Sequence, residues 1–341
     1  MRKKRILSVA FSGGLSALLI GILISEVGGQ DFVDTFAAIH IPSLLAFLGF
    51  SLAGATFRAI RYKWLLHPVR ITWRDIFLVT FIRNLFVDLL PSRIGSLSYV
   101  YVLNRSLRYS FQAAASSFLM ALVLDFLTLG PFLIMAILVV GLGKTEVSSM
   151  SLLVFSGVFS GGFLLLFWKL APATDILARG YGALLRLFRL SEKNWALTSQ
   201  KKVLLTQQEI RKIEKRKIGW PLFGLSLLVR LSKYLSLYFL LFALLRSHGF
   251  ALADISFSKT ILGITGAELT SALPIKGIGG FGTWESAWAL TLMLLGFEAR
   301  IAILSSGVHL VTNLFEYLLG ISSILILALR SSKSLQRERA L

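Results

Sequence analysis

Leu273-Pro274-Ile275-Lys276-Gly277-Ile278-Gly279-Gly280-Phe281-Gly282 joins two apolar segments, Phe257–Leu273 and Trp284–Leu295. Neither segment reaches the roughly 20 residues that a helix needs to cross a hydrocarbon core of about 30 Å. A similar turn, Leu90-Pro91-Ser92-Arg93-Ile94-Gly95, follows the apolar segment Ile76–Leu90 and precedes Leu97–Leu107. Both turns run Leu-Pro, one residue, a basic residue, then Gly. Pro and Gly free backbone polar groups, and a bilayer tolerates them only where protein or water satisfies those groups. Short, Pro/Gly-interrupted segments at corresponding places in two halves point to a binding site near mid-membrane. Ordinary connections at the membrane surface would produce the same spacing.

The rest of the chain places these turns in a membrane. Of 341 residues, 55% are hydrophobic and 16% charged, and mean hydropathy is +0.75. That is too little polar surface for a soluble enzyme. Longer apolar stretches cover Ile6–Ile24, Ile41–Phe57, Ala113–Leu142, Ser151–Leu170, Pro221–Leu245 and Ile301–Leu329. The first, behind Met1-Arg-Lys-Lys-Arg5, is long enough to be a retained span, and no small-residue cleavage motif follows it. The expected fold is an all-α polytopic bundle, one integral domain over residues 1–341, with two opposed re-entrant hairpins arranged as an inverted repeat.

Net charge is +19. Its distribution between apolar runs argues for insertion beside anionic lipid, not nucleic-acid binding. Assigning loops alternately puts 26 Lys and Arg on one side and Lys144, Arg246 and Arg300 on the other. The positive-inside rule then puts both termini in the cytoplasm, across a bacterial or archaeal inner membrane. Residues 171–219 form a basic cytoplasmic loop. Within it Ile176, Leu177, Leu184, Leu185 and Phe188 alternate with Arg179, Arg186 and Arg189 at helical spacing, as in a helix lying on a leaflet.

Absent Cys and four scattered His exclude disulfides, Fe–S clusters, thiolate catalysis and Cys-based zinc sites, and no cofactor is expected. Ionisable groups inside spans cost about 2.5–3.5 kcal/mol each on insertion scales, so each marks a possible site. They are Arg83, Asp88, Arg93, Asp125, Arg230, Lys233, Glu268, Lys276, Glu285 and Glu316. Arg93 and Lys276 on the two turns suit a phosphate nest, although snorkelling to headgroups is the alternative. Gly279, Gly280 and Gly282 allow close backbone approach, but no Gly-Lys-Ser/Thr follows, so this is not a nucleotide loop. Glu285 could cap the next helix or carry a proton. His309, Asn313 and Glu316 share one helical face, as a proton relay or as interhelical hydrogen-bonding groups. Asp125 is expected to pair with Arg83 or Arg230. Arg58, Arg61, Lys63 and Trp64 read as interfacial anchors at the end of the second span, or as the lining of a headgroup entrance.

Gly279-Gly280-Phe281-Gly282-Thr283-Trp284-Glu285 after Leu273-Pro274 resembles a signature of the flippase-like transmembrane family, which includes the membrane region of lysylphosphatidylglycerol synthases and stand-alone relatives. Leu90-Pro91-Ser92-Arg93-Ile94-Gly95 resembles its first signature, and Arg58-x-x-Arg61-x-x-Trp64 resembles its second-span ending. Ser96 and Trp284 depart from the usual acidic and basic residues. The resemblance covers about Ile6 to Leu329 and implies a transporter, not an enzyme, that moves a phospholipid or other polar lipid between leaflets without an ATPase. The implied lipid-binding set is Arg58, Arg61, Arg83, Arg93, Gly95, Lys276, Gly279, Gly280, Gly282 and Glu285. The chain closes at Leu341, soon after its last apolar segment, so an aminoacyl-transfer domain is not expected. The rival expectation is a non-transporting scaffold or regulator of a lipid- or glycan-modifying enzyme. A homodimer or such an enzyme would be the protein partner.

Overall fold

The computed structural model describes residues 2–141, 149–270 and 277–339, and among them every regular element is helical. The chain is an all-α polytopic membrane protein. Helix α1 (Arg2–Val27) meets α2 (Gly29–Ala37) at an 81° bend. Gly28 makes the bend at φ +94°, which a side chain would strain. Helix α3 (Ile41–Leu66) is antiparallel to α11 (Gly219–Leu245). The His40 N–H donates to the Ala243 carbonyl at one end, and at the other Arg216 donates to the Trp64 and His67 carbonyls. These contacts define two ends of the bundle, an α3-start end and an α3-finish end.

Between them, α4 (Trp73–Leu89) leads through a helical turn, Pro91–Leu97, into α5 (Ser98–Tyr101) and a wide turn over Val102–Ser106. Helices α6 (Phe111–Leu127) and α7 (Leu129–Gly141) form one long apolar stretch, Phe111–Val140, and α8 (Ser149–Trp168) runs back alongside it. Helices α9 (Leu170–Leu187) and α10 (Asn194–Lys215) make up most of the basic 171–219 segment. After α11 come α12 (Phe257–Leu269), α13 (Thr283–Leu294), α14 (Ala299–Ser305) and the long α15 (Val308–Arg339). Among the described residues, four stretches are long and apolar enough to cross a membrane: Ile41–Leu66, Phe111–Val140, Gly219–His248 and Ala299–Arg330. The bent α1–α2 pair makes a fifth if it counts as one span.

Two hairpins depart from this pattern, and hydrogen bonds fix where each begins. Thr72 caps α4 by accepting the Asp75 N–H, and Ser256 caps α12 by accepting the Lys259 N–H. The first hairpin starts at the α3-finish end, where Asp75 pairs with Arg330 at 2.5 Å. It returns to that end, since the Tyr109 hydroxyl donates to the Arg70 carbonyl. The second starts and finishes at the other end, where the Lys259 Nζ donates to the Leu295 carbonyl at 2.7 Å. Helices of 12 and 13 residues, α13 and α12, reach only about 18–20 Å at 1.5 Å per residue.

The first turn folds tightly onto its own helix. A Cβ on Gly95 would lie 1.6 Å from the Phe86 carbonyl oxygen and 2.7 Å from the Val87 nitrogen, both backbone atoms that cannot yield. We expect Gly95→Ala to destabilise the protein by about 3 kcal/mol, at the upper end for overpacking. A thermal melt in detergent indistinguishable from the parent protein would refute this fit.

One expectation needs correction here. The second span does not stop at Phe57. It continues to Leu66, with Arg61 buried inside the bundle and Arg58 facing its central cavity. The charge asymmetry between the two sides keeps its sign without them.

Candidate functional site

The middles of α3 and α11 wall a cavity of about 240 Å3. Its lining includes Arg58 and Ser51 from α3, Arg83, Asn84 and Asp88 from α4, and Arg230, Lys233 and Ser226 from α11. Both hairpins reach it: Ser96 belongs to the first turn, and Gly279 and Gly280 to the second. Helices α6, α12 and α15 complete the wall with Asp125, Glu268, and His309, Asn313 and Glu316.

Most charges in and around this cavity are matched. Arg61, 0% exposed, donates from Nη1 to the Asp125 carboxylate at 2.7 Å and to the Ser226 hydroxyl at 2.9 Å. Arg230 donates to the Asp125 carbonyl and lies 3.5 Å from Glu268, which also pairs with Lys233. A buried cation whose carboxylate partner is close recovers part of its desolvation cost.

Arg58 and Arg83 are different. Arg58 Nη1 donates to Asn84 Oδ1 at 2.6 Å, and Arg83 Nη1 donates to the same oxygen at 3.2 Å. Neither pairs with a carboxylate within 4 Å among the described residues, and the Nε atom of each is buried without a hydrogen-bond partner. One neutral amide oxygen therefore holds two guanidinium groups. Like charges this close in a low-dielectric wall repel strongly, and an anion between them would relieve the repulsion. A guanidinium fork also matches phosphoryl oxygens.

The acids have their own pole. Asp88 lies one helical turn beyond Asn84 and lines the same cavity as Glu316, His309 and Lys233. Arg83 and Asp125 line it beside Arg58. The cavity thus carries surplus positive charge toward Arg58 and surplus carboxylate toward Asp88 and Glu316.

Beneath the second turn lies a buried polar chain. Glu285 Oε2 accepts the Gly282 N–H at 2.8 Å, capping α13, while its Oε1 accepts from His309 Nδ1 at 2.6 Å. His309 Nε2 then accepts from Asn313 Nδ2 at 3.1 Å. The imidazole stacks on Trp284 with centroids 4.5 Å apart and planes 11° off parallel. Gly279, Gly280 and Gly282 have φ of +62°, +81° and +84°, so the turn that rides on this chain requires glycine. Among the described residues, no three His, Asp or Glu side chains converge as a metal site requires.

The structure brings Arg58, Arg83, Gly279, Gly280, His309, Asn313 and Glu316 to one cavity. Arg61, Gly95, Gly282 and Glu285 stand behind its wall, where they support lining residues. Lys276 lies outside the described residues. Arg93 falls in the Pro91–Leu97 turn, and its side chain also lies outside them. Asp125 pairs with Arg61 instead of the expected side chains of Arg83 or Arg230, because α3 places a guanidinium directly opposite. Trp64 remains exposed, as an anchor would be.

Sequence reading missed Asn84. Its signal was available: Thr80, Asn84 and Asp88 recur every fourth residue and mark a polar stripe along α4. Glu285 and His309 were noted separately, but nothing in their spacing of 24 residues announces their contact.

The whole-chain comparison agrees with the two turn motifs. The family model described as the lysylphosphatidylglycerol synthase TM region matches residues 5–320. The chain belongs to this family. Members are membrane proteins tied to lipid handling, and the match takes in every residue that lines the cavity. No curated protein matches the chain.

Proposed function

We propose that this protein of the lysylphosphatidylglycerol synthase TM family moves a phospholipid between leaflets without hydrolysing nucleotide or making covalent bonds. The observation that carries this reading is the pair Arg58 and Arg83: two guanidinium groups at mid-span, facing one cavity and sharing one amide oxygen. Charges inside a span cost about 2.5–3.5 kcal/mol each on insertion scales, so those that are kept mark functional sites. A lipid phosphate bound between them supplies the missing anion. The ammonium of an amine-bearing headgroup would face Asp88 and Glu316, and the acyl chains would stay in the bilayer beside the groove.

In this reading the two hairpins are re-entrant, enter from opposite leaflets and meet at the headgroup. Both termini are cytoplasmic, in accord with the basic residues of the α3-finish end. Direction follows the lipid gradient, or a proton gradient working through Glu285, His309 and Glu316.

Purified protein reconstituted into liposomes tests the proposal. Translocation of a fluorescent phospholipid, followed by chemical reduction of the probe in the outer leaflet, should run at least about tenfold faster than in protein-free vesicles; a tenfold rate is about 1.4 kcal/mol of barrier. No acceleration would refute transport and favour the scaffold alternative.

A further inference from the structure

The geometry points to an in-plane docking site on α9 for the lipid leaflet at the basic end of the bundle, with anionic headgroups recognised along one edge of the helix. Helix α9 begins two residues after α8 ends, at the α3-finish end, where Phe167 lies against Gly219 at the start of α11. Trp64, Trp73, Trp168 and Trp220 are all exposed at this end, the arrangement that marks a membrane–water boundary. Helix α9 therefore starts at headgroup level.

Its three sides differ in chemistry. One side packs on α10: Ala178 and Leu185 are buried, the Tyr181 hydroxyl meets Ser199 Oγ at 2.7 Å, and Asp175 pairs with Arg211 at 2.5 Å. The opposite side is wholly apolar and uncovered, with Ile176, Leu177, Leu184, Leu187 and Phe188 between 53% and 74% exposed. At 100° per residue these five fall within one third of the helix circumference. Arg179 and Arg186, two turns apart, line one edge between the other two sides, and both are exposed. An apolar stripe with a basic border beside the ends of several spans fits anionic lipid, with the stripe in the acyl boundary and the arginines at the phosphates.

Helix α10 holds α9 in this position. Its Ala196, Ile210 and Ile213 are buried, and its Lys202 lies 5.1 Å above the Phe111 ring at the start of α6. The docked helix is thus coupled through α10 to α6, the helix that carries Asp125.

The sequence contains no cysteine, so single-cysteine variants are unambiguous. Leu177→Cys, Leu184→Cys and, as a water-facing control, Gln208→Cys would each carry an environment-sensitive fluorophore in nanodiscs of phosphatidylcholine with or without phosphatidylglycerol. A nitroxide-bearing lipid should quench the labels at 177 and 184, and iodide should reach them several-fold less than the label at 208. Equal iodide access at all three positions would overturn the docking site. So would protection at 177 and 184 from both quenchers, because a second copy or another protein would then cover the stripe.

Adding Arg179→Gln and Arg186→Gln should weaken the protection in discs containing phosphatidylglycerol by roughly fivefold per arginine, the equivalent of about 1 kcal/mol each. Protection independent of both phosphatidylglycerol and the arginines would overturn the anionic recognition. A monodisperse elution profile and an unchanged signal at 208 identify variants that have kept their fold.

Discussion

Replacing Arg58 and Arg83 together with methionine should abolish lipid translocation while the protein still inserts and folds. Each guanidinium would contribute charge-assisted hydrogen bonds to a phosphate, at roughly 1.5–3 kcal/mol per bond. Losing both sites should slow translocation by about two to four orders of magnitude in reconstituted vesicles. Stability should move the other way or not at all. The two side chains sit in the cavity wall with buried, unpartnered Nε atoms and only Asn84 as a shared acceptor, so apolar replacements remove desolvated charge without orphaning a carboxylate. The decisive result is therefore a pair of measurements, flux and melting temperature, on the same variant. Full flux with both arginines gone would remove the phosphate site. Lost flux together with a collapsed melting transition would mean that the arginines serve the fold.

Arg61→Leu should behave in the opposite sense. Arg61 is wholly buried, and its loss leaves the Asp125 carboxylate facing the interior with its ion-pair partner removed. Breaking a buried pair from one side costs about 3–5 kcal/mol. Replacing both partners with leucine should recover most of that loss, because the remaining charge goes too. Chemical denaturation in detergent of the two single variants and the double variant closes the cycle. A double variant as unstable as Arg61→Leu would show that packing of the arginine stem, not charge pairing, holds α3 to α6. Arg58 and Arg61 are thus neighbours on one helix with opposite expected consequences, and what separates them is the presence of a carboxylate across the interface.

Much of this architecture was legible in the linear chain. The apolar runs announce spans. Leu90-Pro91 with Gly95, and Gly279, Gly280 and Gly282, mark places where helices break. Local chemistry decides these features: hydropathy over one turn, the missing N–H of proline, the positive φ open to glycine. That is why the glycines of the second turn could be picked out before any fold was known.

The site itself was only partly legible, and Arg58 and Arg61 show why. Read along the chain, two arginines near the end of an apolar run look like groups reaching for water. Only the fold places Asp125 against one of them, across 64 residues of sequence, and Asn84 against the other, across 26. Glu285 and His309 are a similar case, as are Arg230 and Glu268. Local composition determined by itself that this is a helical membrane protein, where its helices lie and where two of them must break. Tertiary structure alone decided which buried charges are neutralised and which are left facing a cavity, because in a low dielectric the energy of a charge depends on what stands within a few ångströms of it, and that neighbour is rarely close in sequence.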